Sequence, residues 1–148
     1  MICDRQGNRV SGASPDAAVL FDQAMSEFTV YRGDPVATVD RALAAAPDFV
    51  MAHVLKAYLL GFATEPEAMA LATEIAAAAR DLSMDEREAS HLAVLDHLVK
   101  GNWTAAAMAM HLHNVQHPQH RGAEKINSCP VIQEILRDLF LTCVRRCA

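Results

Sequence analysis

The chain has few aromatic residues and few helix-breaking residues. Only 5% of its 148 residues are aromatic, and glycine and proline number six each. Hydrophobic residues still make up 52% of the chain, so alanine, leucine, valine and methionine must supply most apolar contacts. Alanine loses the least side-chain entropy in a helix. The composition therefore predicts an α-helical protein, and the length is sufficient for one domain with a real core.

Basic clusters and long apolar runs are also missing. The net charge is −5 at pH 7, and the only adjacent basic pair is Arg145 and Arg146. A nucleic-acid-binding protein would show a basic patch. No apolar run is long enough to form a membrane-spanning helix, and the N-terminus is polar from residue 4, unlike a signal peptide. We therefore expect a cytoplasmic protein without a nucleic-acid or membrane partner.

The cysteine pattern does not resemble a zinc site. The four cysteines are Cys3, Cys129, Cys143 and Cys147, and none of them forms a Cys-x-x-Cys pair. Zinc sites built on thiolates commonly use such pairs. We expect reduced thiols that pack as small hydrophobic side chains, and no cofactor.

Helix-start signals recur along the chain. Apolar residues follow each signal at helical spacing, and no stretch alternates with the period of a strand. A capping side chain or a proline at the first helical position marks each start. The predicted starts are Ser14-Pro15, Asp34-Pro35, Asp48, Thr64, Ser83 and Asn102, with a seventh helix from Pro130.

The spacing of the turns indicates a repeat. Gly33 and Gly101 each begin a turn between two helices, and the distance between them is twice a period of about 34 residues, which is that of the tetratricopeptide repeat. In that repeat a small residue ends the first helix, an aromatic residue wedges between the helices, and proline stops the second helix. Gly101, Trp103, Ala106 and Pro118 fit this pattern, and Pro47 ends an earlier repeat.

The amino-acid sequence of residues 4 to 118 resembles that of a known family. The segments SPDAAVLFDQAM, YRGDPVATVDRALAAAPDFVMAHVLKAYLL and EREASHLAVLDHLVKGNWTAAA are similar to the N-terminal part of the tetratricopeptide repeat protein 38 family. The resemblance implies an all-helical repeat protein and no reaction. After His117-Pro118 the family continues with an acidic residue and another repeat, whereas this chain reads QHRGAEKINSC. We therefore expect a truncated or frame-shifted relative, with residues 119–148 of different origin.

These patterns give one predicted architecture. It is an all-α fold of tetratricopeptide-like antiparallel helix hairpins, stacked as a short right-handed solenoid, plus a C-terminal helix. Residues 1–13 form an N-terminal extension and residues 14–118 form three hairpins. Residues 119–148 form a linker and an amphipathic helix. The predicted function is a non-enzymatic module that binds another protein or peptide.

The concave wall of such a stack is the predicted partner-binding surface. The first helix of each pair lines that wall. The repeat phase places six residues there: Met51, Val54, Tyr58, Glu88, His91 and Leu95. Lys56 stands alone, so the wall lacks a basic clamp for a peptide carboxylate, and an apolar segment is the expected ligand. The alternative is that these side chains simply pack together.

The histidines suggest a competing function. His111, His113, His117 and His120 are close in sequence, and His113 and His117 have the i, i+4 spacing of metal ligands on a helix. No carboxylate or cysteine accompanies them, so packing is the expected role and we assign no metal ligand. No nucleophile has a positioned base, because Ser90 and His91 are adjacent on a helix. We assign no catalytic residue, and a metal-dependent or enzymatic role for residues 113–120 is the alternative function.

The predicted C-terminal helix carries an apolar stripe. The stripe consists of Ile132, Ile135, Leu136, Leu139, Phe140 and Val144. Such a stripe must be buried. It either caps the open end of the stack, as solenoids require, or pairs with its copy in a homodimer.

Overall fold

The computed structural model describes residues 2–117, which form six α-helices and no strand longer than an isolated bridge. The prediction of an all-α fold is confirmed for this part of the chain. The helices are α1 (Pro15–Thr29), α2 (Pro35–Ala45), α3 (Val50–Phe62), α4 (Pro66–Ala79), α5 (Glu86–Leu98) and α6 (Trp103–Gln116).

The helices pack in consecutive pairs. α1 packs mainly on α2, α3 on α4, and α5 on α6. Contacts of α2 with α3, of α3 with α5 and of α4 with α5 join one pair to the next. This arrangement is compatible with a repeat of helical hairpins.

Burial follows the predicted period. Buried residues of α1 and α3, the first helices of the first two pairs, lie one predicted period apart in sequence. Buried residues of α2, α4 and α6, the second helices of the three pairs, are spaced in the same way. The buried sets are Ala17/Met51, Phe21/Leu55, Ala24/Tyr58, Thr38/Ala72/Ala106 and Ala42/Ala76/Met110. The small residues in these sets let neighbouring helices approach closely, because alanine adds little volume between two backbones.

Three predicted helix starts have the predicted cap. The Ser14 hydroxyl accepts the backbone N–H of Ala17 at 3.2 Å. The side chains of Asp34 and Asn102 accept the corresponding N–H groups of α2 and α6 at 3.0 and 3.2 Å. Each side chain satisfies a donor that the first helical turn leaves without an intrahelical partner.

The other three starts were predicted at the wrong residue. Phe49 rather than Asp48 precedes α3, and no side chain caps that helix. Glu65 rather than Thr64 precedes α4, because Pro66 takes the first turn and Thr64 has a left-handed φ of 59°. The capping box of α5 is made by Asp85 and Glu88, not by Ser83.

The predicted repeat-defining residues lie at turns and helix contacts. Gly33 and Gly101 have φ values of 80° and 70°, which L-residues with a Cβ rarely adopt. Trp103 begins α6 half-buried and Ala106 is fully buried. Pro47 directly follows Ala46, the C-cap of α2. Pro118 lies outside the described residues.

The stretch before α1 is folded against the helices. It forms a tight turn in which Cys3 and Arg9 make an isolated antiparallel bridge, and the Val10 N–H donates to the Ile2 carbonyl at 3.1 Å. Val10 is 4% exposed. We call residues 2–12 the N-terminal segment. No helix within residues 2–117 is both long and apolar enough to cross a bilayer.

Candidate functional site

The six residues predicted for the partner-binding wall are buried. Glu88, Val54 and Leu95 are 0% exposed, Tyr58 and His91 are 1% exposed, and Met51 is 7% exposed. Their burial agrees with the alternative stated for them, that these side chains pack together in the core. Partner binding at this face stays a prediction. A partner would first contact the exposed residues that surround these buried side chains.

The N-terminal segment is fastened to this wall by hydrogen bonds. The Ser11 N–H donates to Oε1 of Glu88 at 2.8 Å, and the Arg87 guanidinium donates to the Arg9 carbonyl at 2.9 Å. The Arg5 N–H donates to Oδ1 of Asp22 at 3.1 Å. The segment therefore joins α1 to α5 across the front of α3. The sequence suggested only a polar extension here, because its partners lie up to 78 residues away.

A cleft remains beside the segment, and we call it the inner cleft. It has a volume of about 230 Å³ and is bounded by the N-terminal turn, α1, α3 and α5. Its lining includes apolar side chains of α1 and α3, the charged groups of Arg5, Asp22 and Arg87, and His91. Three of the predicted wall residues line it, namely Met51, Val54 and His91.

Asp22 marks the polar edge of the inner cleft. Partial burial raises the pKa of its carboxyl above the usual value, and the nearby charge of Asp4 adds to that rise. The N–H that Arg5 donates and the positive charge of Arg5 act in the opposite direction. Because Asp4 and Asp22 lie beside Arg5 and Arg87, the edge carries both signs of charge and shows no strong preference for an ionic ligand.

A stack of aromatic side chains lies next to the inner cleft. The rings of His91 and His113 are 4.1 Å apart between centroids, and those of His113 and His117 are 5.1 Å apart. Tyr58 meets His91 edge-on at 6.3 Å, and its hydroxyl donates to the His91 carbonyl at 3.3 Å. Sequence spacing could pair His113 with His117, but it could not bring His91 from another helix into the stack.

Burial keeps two of these imidazoles neutral. Loss of hydration lowers the pKa of His91 well below its usual value, and the neighbouring His113, Arg87 and His117 lower it further. Burial and the charges of His117 and Arg87 lower the pKa of His113 to about 4. At neutral pH both side chains are uncharged, so their stacking carries no repulsion.

Ser90 and His113 form a contact that the sequence did not suggest. Ser90 Oγ lies 2.5 Å from Nδ1 of His113 and 2.6 Å from the Arg87 carbonyl. A carbonyl oxygen only accepts, so the hydroxyl donates to Arg87 and Nδ1 of His113 donates to Oγ. In this arrangement the Ser90 hydroxyl bridges the backbone of α5 to the ring of His113 on α6.

The histidines do not assemble a metal site in residues 2–117. No group of three or more His, Cys, Asp or Glu side chains in this range is arranged to hold a metal ion. His111 is exposed, whereas His113 is 1% exposed and packed on His91. His120, the last histidine of the predicted cluster, lies outside the described residues.

Two further predictions concern charged and apolar surfaces. Lys56, the single basic residue predicted near the wall, forms an ion pair in which its Nζ lies 2.6 Å from Oδ1 of Asp40 on α2. On α6, Met108, Leu112 and Val115 are 70%, 54% and 62% exposed and share one face at helical spacing. The tail stripe predicted to cap or dimerise the protein (Ile132, Ile135, Leu136, Leu139, Phe140 and Val144) lies outside the described residues.

Comparison with known proteins gives no relative from which a role could be transferred. No family model, curated protein or solved structure matches this chain.

Proposed function

We propose that this chain is a non-enzymatic helical-repeat module of the tetratricopeptide type that binds a segment of another protein. The binding surface is the inner cleft together with the exposed rim of α1 and the N-terminal segment. The observation that carries this proposal is a partly open, largely apolar cleft located where three successive hairpins place their first helices.

The chemistry of the surface supports a protein ligand. Met25 and Met51 line the cleft, and methionine side chains adapt to the shape of an apolar partner. Val30, at the outer end of α1, lines the same cleft and is 55% exposed. Mixed charges around an apolar centre are typical of protein interfaces with a polar rim.

A non-enzymatic role is supported by the state of the polar groups. Ser90 donates its proton to a backbone carbonyl, and Asp22 accepts a backbone N–H. Although Nδ1 of His113 lies 2.5 Å from Ser90 Oγ, the hydroxyl donates to the Arg87 carbonyl, so this nitrogen acts as a donor and not as a base. The alternative is a metal-dependent or enzymatic role of residues 113–120, which requires at least one metal ion per chain in the purified full-length protein by elemental analysis.

Peptide selection tests the proposed function. Peptides are enriched from a display library on the immobilised full-length chain and then measured against Ser26→Trp and Val19→Trp. Ser26 is exposed and lines the cleft, whereas Val19 is exposed on the same helix but does not line it. We expect Ser26→Trp to weaken binding at least tenfold by filling the cleft, and Val19→Trp to have little effect. Failure to enrich any peptide, or equal binding to both variants, contradicts the proposal.

A further inference from the structure

We propose that the apolar face of α6, formed by Met108, Leu112 and Val115, is the docking site for residues 130–148 of the same molecule, folded back along α6 as a helix. All three side chains of this face are more than half exposed in the described part of the chain. The inference is independent of the proposed function, because α6 contributes no residue to the lining of the inner cleft.

The apolar face is specific to α6 and is not a feature of the repeat. One and two predicted periods before Met108 and Leu112, the same positions on α4 and α2 carry acidic and small residues. These residues are Glu74 and Ala78 on α4 and Asp40 and Ala44 on α2. All of them are exposed, as Met108 and Leu112 are. The same side of the second helix is therefore exposed in all three hairpins, and only α6 makes it apolar, as expected if an additional element covers that helix alone.

α6 also lacks the charge that usually accompanies an exposed helix face. Of the six described helices, it is the only one without Asp, Glu, Lys or Arg. Surface helices place charged and polar residues on the face opposite the core, and contiguous exposed apolar side chains mark interaction sites. The composition of α6 is therefore that of a helix whose outer side is covered as well.

The chain that follows α6 has a suitable length and pattern to cover this face. Val115 lies in the last turn of α6, and residues 118–129 then provide about a dozen residues of connection, more than the 2–8 that usually join helices in bundles. The predicted stripe of residues 132–144 comes next. At about 1.5 Å per residue the stripe is roughly 18 Å long as a helix, whereas Met108 to Val115 span roughly 10 Å. The tail is therefore long enough to turn back and lay its stripe along the whole face.

The other side of the predicted tail helix suits contact with water. Glu134, Arg137 and Asp138 fall outside the apolar stripe at helical spacing. Docking of the stripe would therefore replace the uncharged outer side of α6 by a charged one. Solenoids require a terminal cap with such a polar outer face.

The covalent connection favours the molecule's own tail over the tail of a second copy. A short flexible link gives the attached segment an effective concentration in the millimolar range. The tail of another molecule competes only when the protein itself reaches a similar concentration. In dilute solution the occupant of the α6 face is therefore residues 130–148 of the same chain.

Thiol protection tests whether the face is covered. In a full-length chain whose four native cysteines are replaced by alanine, Leu112→Cys is compared with Ala78→Cys, which lies one period earlier on α4. Both positions are exposed in the described residues, so neither change disturbs the core. We expect a maleimide reagent to label Leu112→Cys at least tenfold more slowly than Ala78→Cys.

Tail variants identify the segment that gives this protection. Leu136→Glu combined with Leu139→Glu places charges in the stripe, whereas Glu134→Gln combined with Asp138→Asn changes only the other side of the predicted helix. We expect the first pair to remove the protection of Leu112→Cys and the second pair to leave it unchanged. Neither pair alters a described helix, so circular dichroism should show that α1 to α6 stay folded.

Crosslinking determines whether the tail belongs to the same molecule. In an antiparallel arrangement the late part of the stripe, which includes Cys143, approaches Met108. Met108→Cys is therefore combined with the native Cys143, and the other three cysteines are replaced by alanine. We expect a short bismaleimide to join the two thiols within one chain, giving a product with the mass of a monomer. Glu74→Cys, the matching position on α4, should give no such product.

Each contrary result overturns the inference. Labelling of Leu112→Cys as fast as that of Ala78→Cys would show that nothing covers the face. Protection that survives Leu136→Glu with Leu139→Glu would show that the stripe is not the cover. A crosslinked product with twice the mass of the chain would assign the face to a second copy, and the absence of any crosslinked product would exclude folding back along α6.

Discussion

Ser11 and Glu88 are joined by a hydrogen bond of 2.8 Å across 77 residues of sequence. The same carboxylate accepts the Asp85 N–H through Oε2 at 3.0 Å, so Glu88 caps α5 and holds the N-terminal segment at once. Glu88→Gln replaces one acceptor oxygen by an NH2 group that faces a donor. We expect a loss of about 1–3 kcal/mol in the free energy of unfolding, measured by urea denaturation.

Glu86→Gln is the matched control for this change. Glu86 is in the same first turn of α5 but is exposed, so only its interaction with the helix dipole is lost, about 0.3–1 kcal/mol. Equal losses for the two variants would show that the bonds of Glu88 to Ser11 and Asp85 contribute nothing beyond charge.

Two glycines of the N-terminal segment should respond differently to alanine. Gly7 and Gly12 have φ values of 86° and 72°, but a Cβ at Gly12 would overlap the carbonyl of Asp48, whereas nothing lies within 4 Å of one at Gly7. Left-handed backbone costs an L-residue about 1–2 kcal/mol. We expect Gly7→Ala to destabilise the chain by roughly that amount, and Gly12→Ala by clearly more.

Thermal unfolding compares the stability that Gly7→Ala and Gly12→Ala each lose. Amide exchange then locates the overlap at Gly12. Gly12→Ala should also speed exchange of the Val50 N–H, because this N–H donates to the Ser11 carbonyl at 3.2 Å next to the overlap. Exchange at Val50 that is unchanged in Gly12→Ala would contradict the observed close packing.

The free energy of unfolding should fall when the pH drops below 6.5, the usual pKa of a histidine side chain. Burial lowers the folded-state pKa of His113 from 6.5 to about 4 and also lowers that of His91. Between these values the unfolded chain binds protons that the folded chain does not, so stability is complete above pH 6.5 and is lost towards pH 4. His113→Leu should make this decline less steep, because unfolding then takes up as much as one proton fewer. Urea denaturation at each pH measures the slope.

His111→Gln serves as the control for the pH series. His111 is on the same helix and exposed, so its replacement should leave the decline between pH 6.5 and pH 4 almost unchanged. If His111→Gln and His113→Leu flattened the curve equally, the buried stack would not be the source of the acid sensitivity.

The exposed apolar face of α6 predicts an effect of the tail. Met108, Leu112 and Val115 form this face, and we expect the apolar stripe predicted for residues 132–144 to cover it. A chain ending at Gly122 should then self-associate, as measured by light scattering, while Met108→Gln combined with Leu112→Gln restores a monomer. A full-length dimer that becomes a monomer on truncation would assign the stripe to a homodimer instead.

Local signals predicted much of this fold. Ser14, Asp34 and Asn102 cap their helices as expected, because a cap depends only on residues three positions away. The repeat period likewise needs only sequence spacing, and it recurs in buried sets such as Thr38, Ala72 and Ala106. These features could be predicted because their causes lie within one helix or one hairpin.

The errors occur where distant residues decide the local structure. α3 needs no cap from Asp48, since the Ser11 carbonyl accepts the Val50 N–H from outside the helix. Glu88 was assigned to the partner-binding wall, but its side chain is buried and accepts the Ser11 N–H from the N-terminal segment. His91 meets His113 because α5 and α6 pack together, and no pattern within either helix contains that distance.

The bond between Ser11 and Glu88 also fixes an order of events during synthesis. At about 5–20 residues per second, a ribosome needs roughly 4–15 seconds to extend the chain by 77 residues. Throughout that interval the segment made first has no Glu88 to bind. Before then the N-terminal segment has only its bonds to Asp22 and Val50, so its attachment is complete only once the third hairpin has been made.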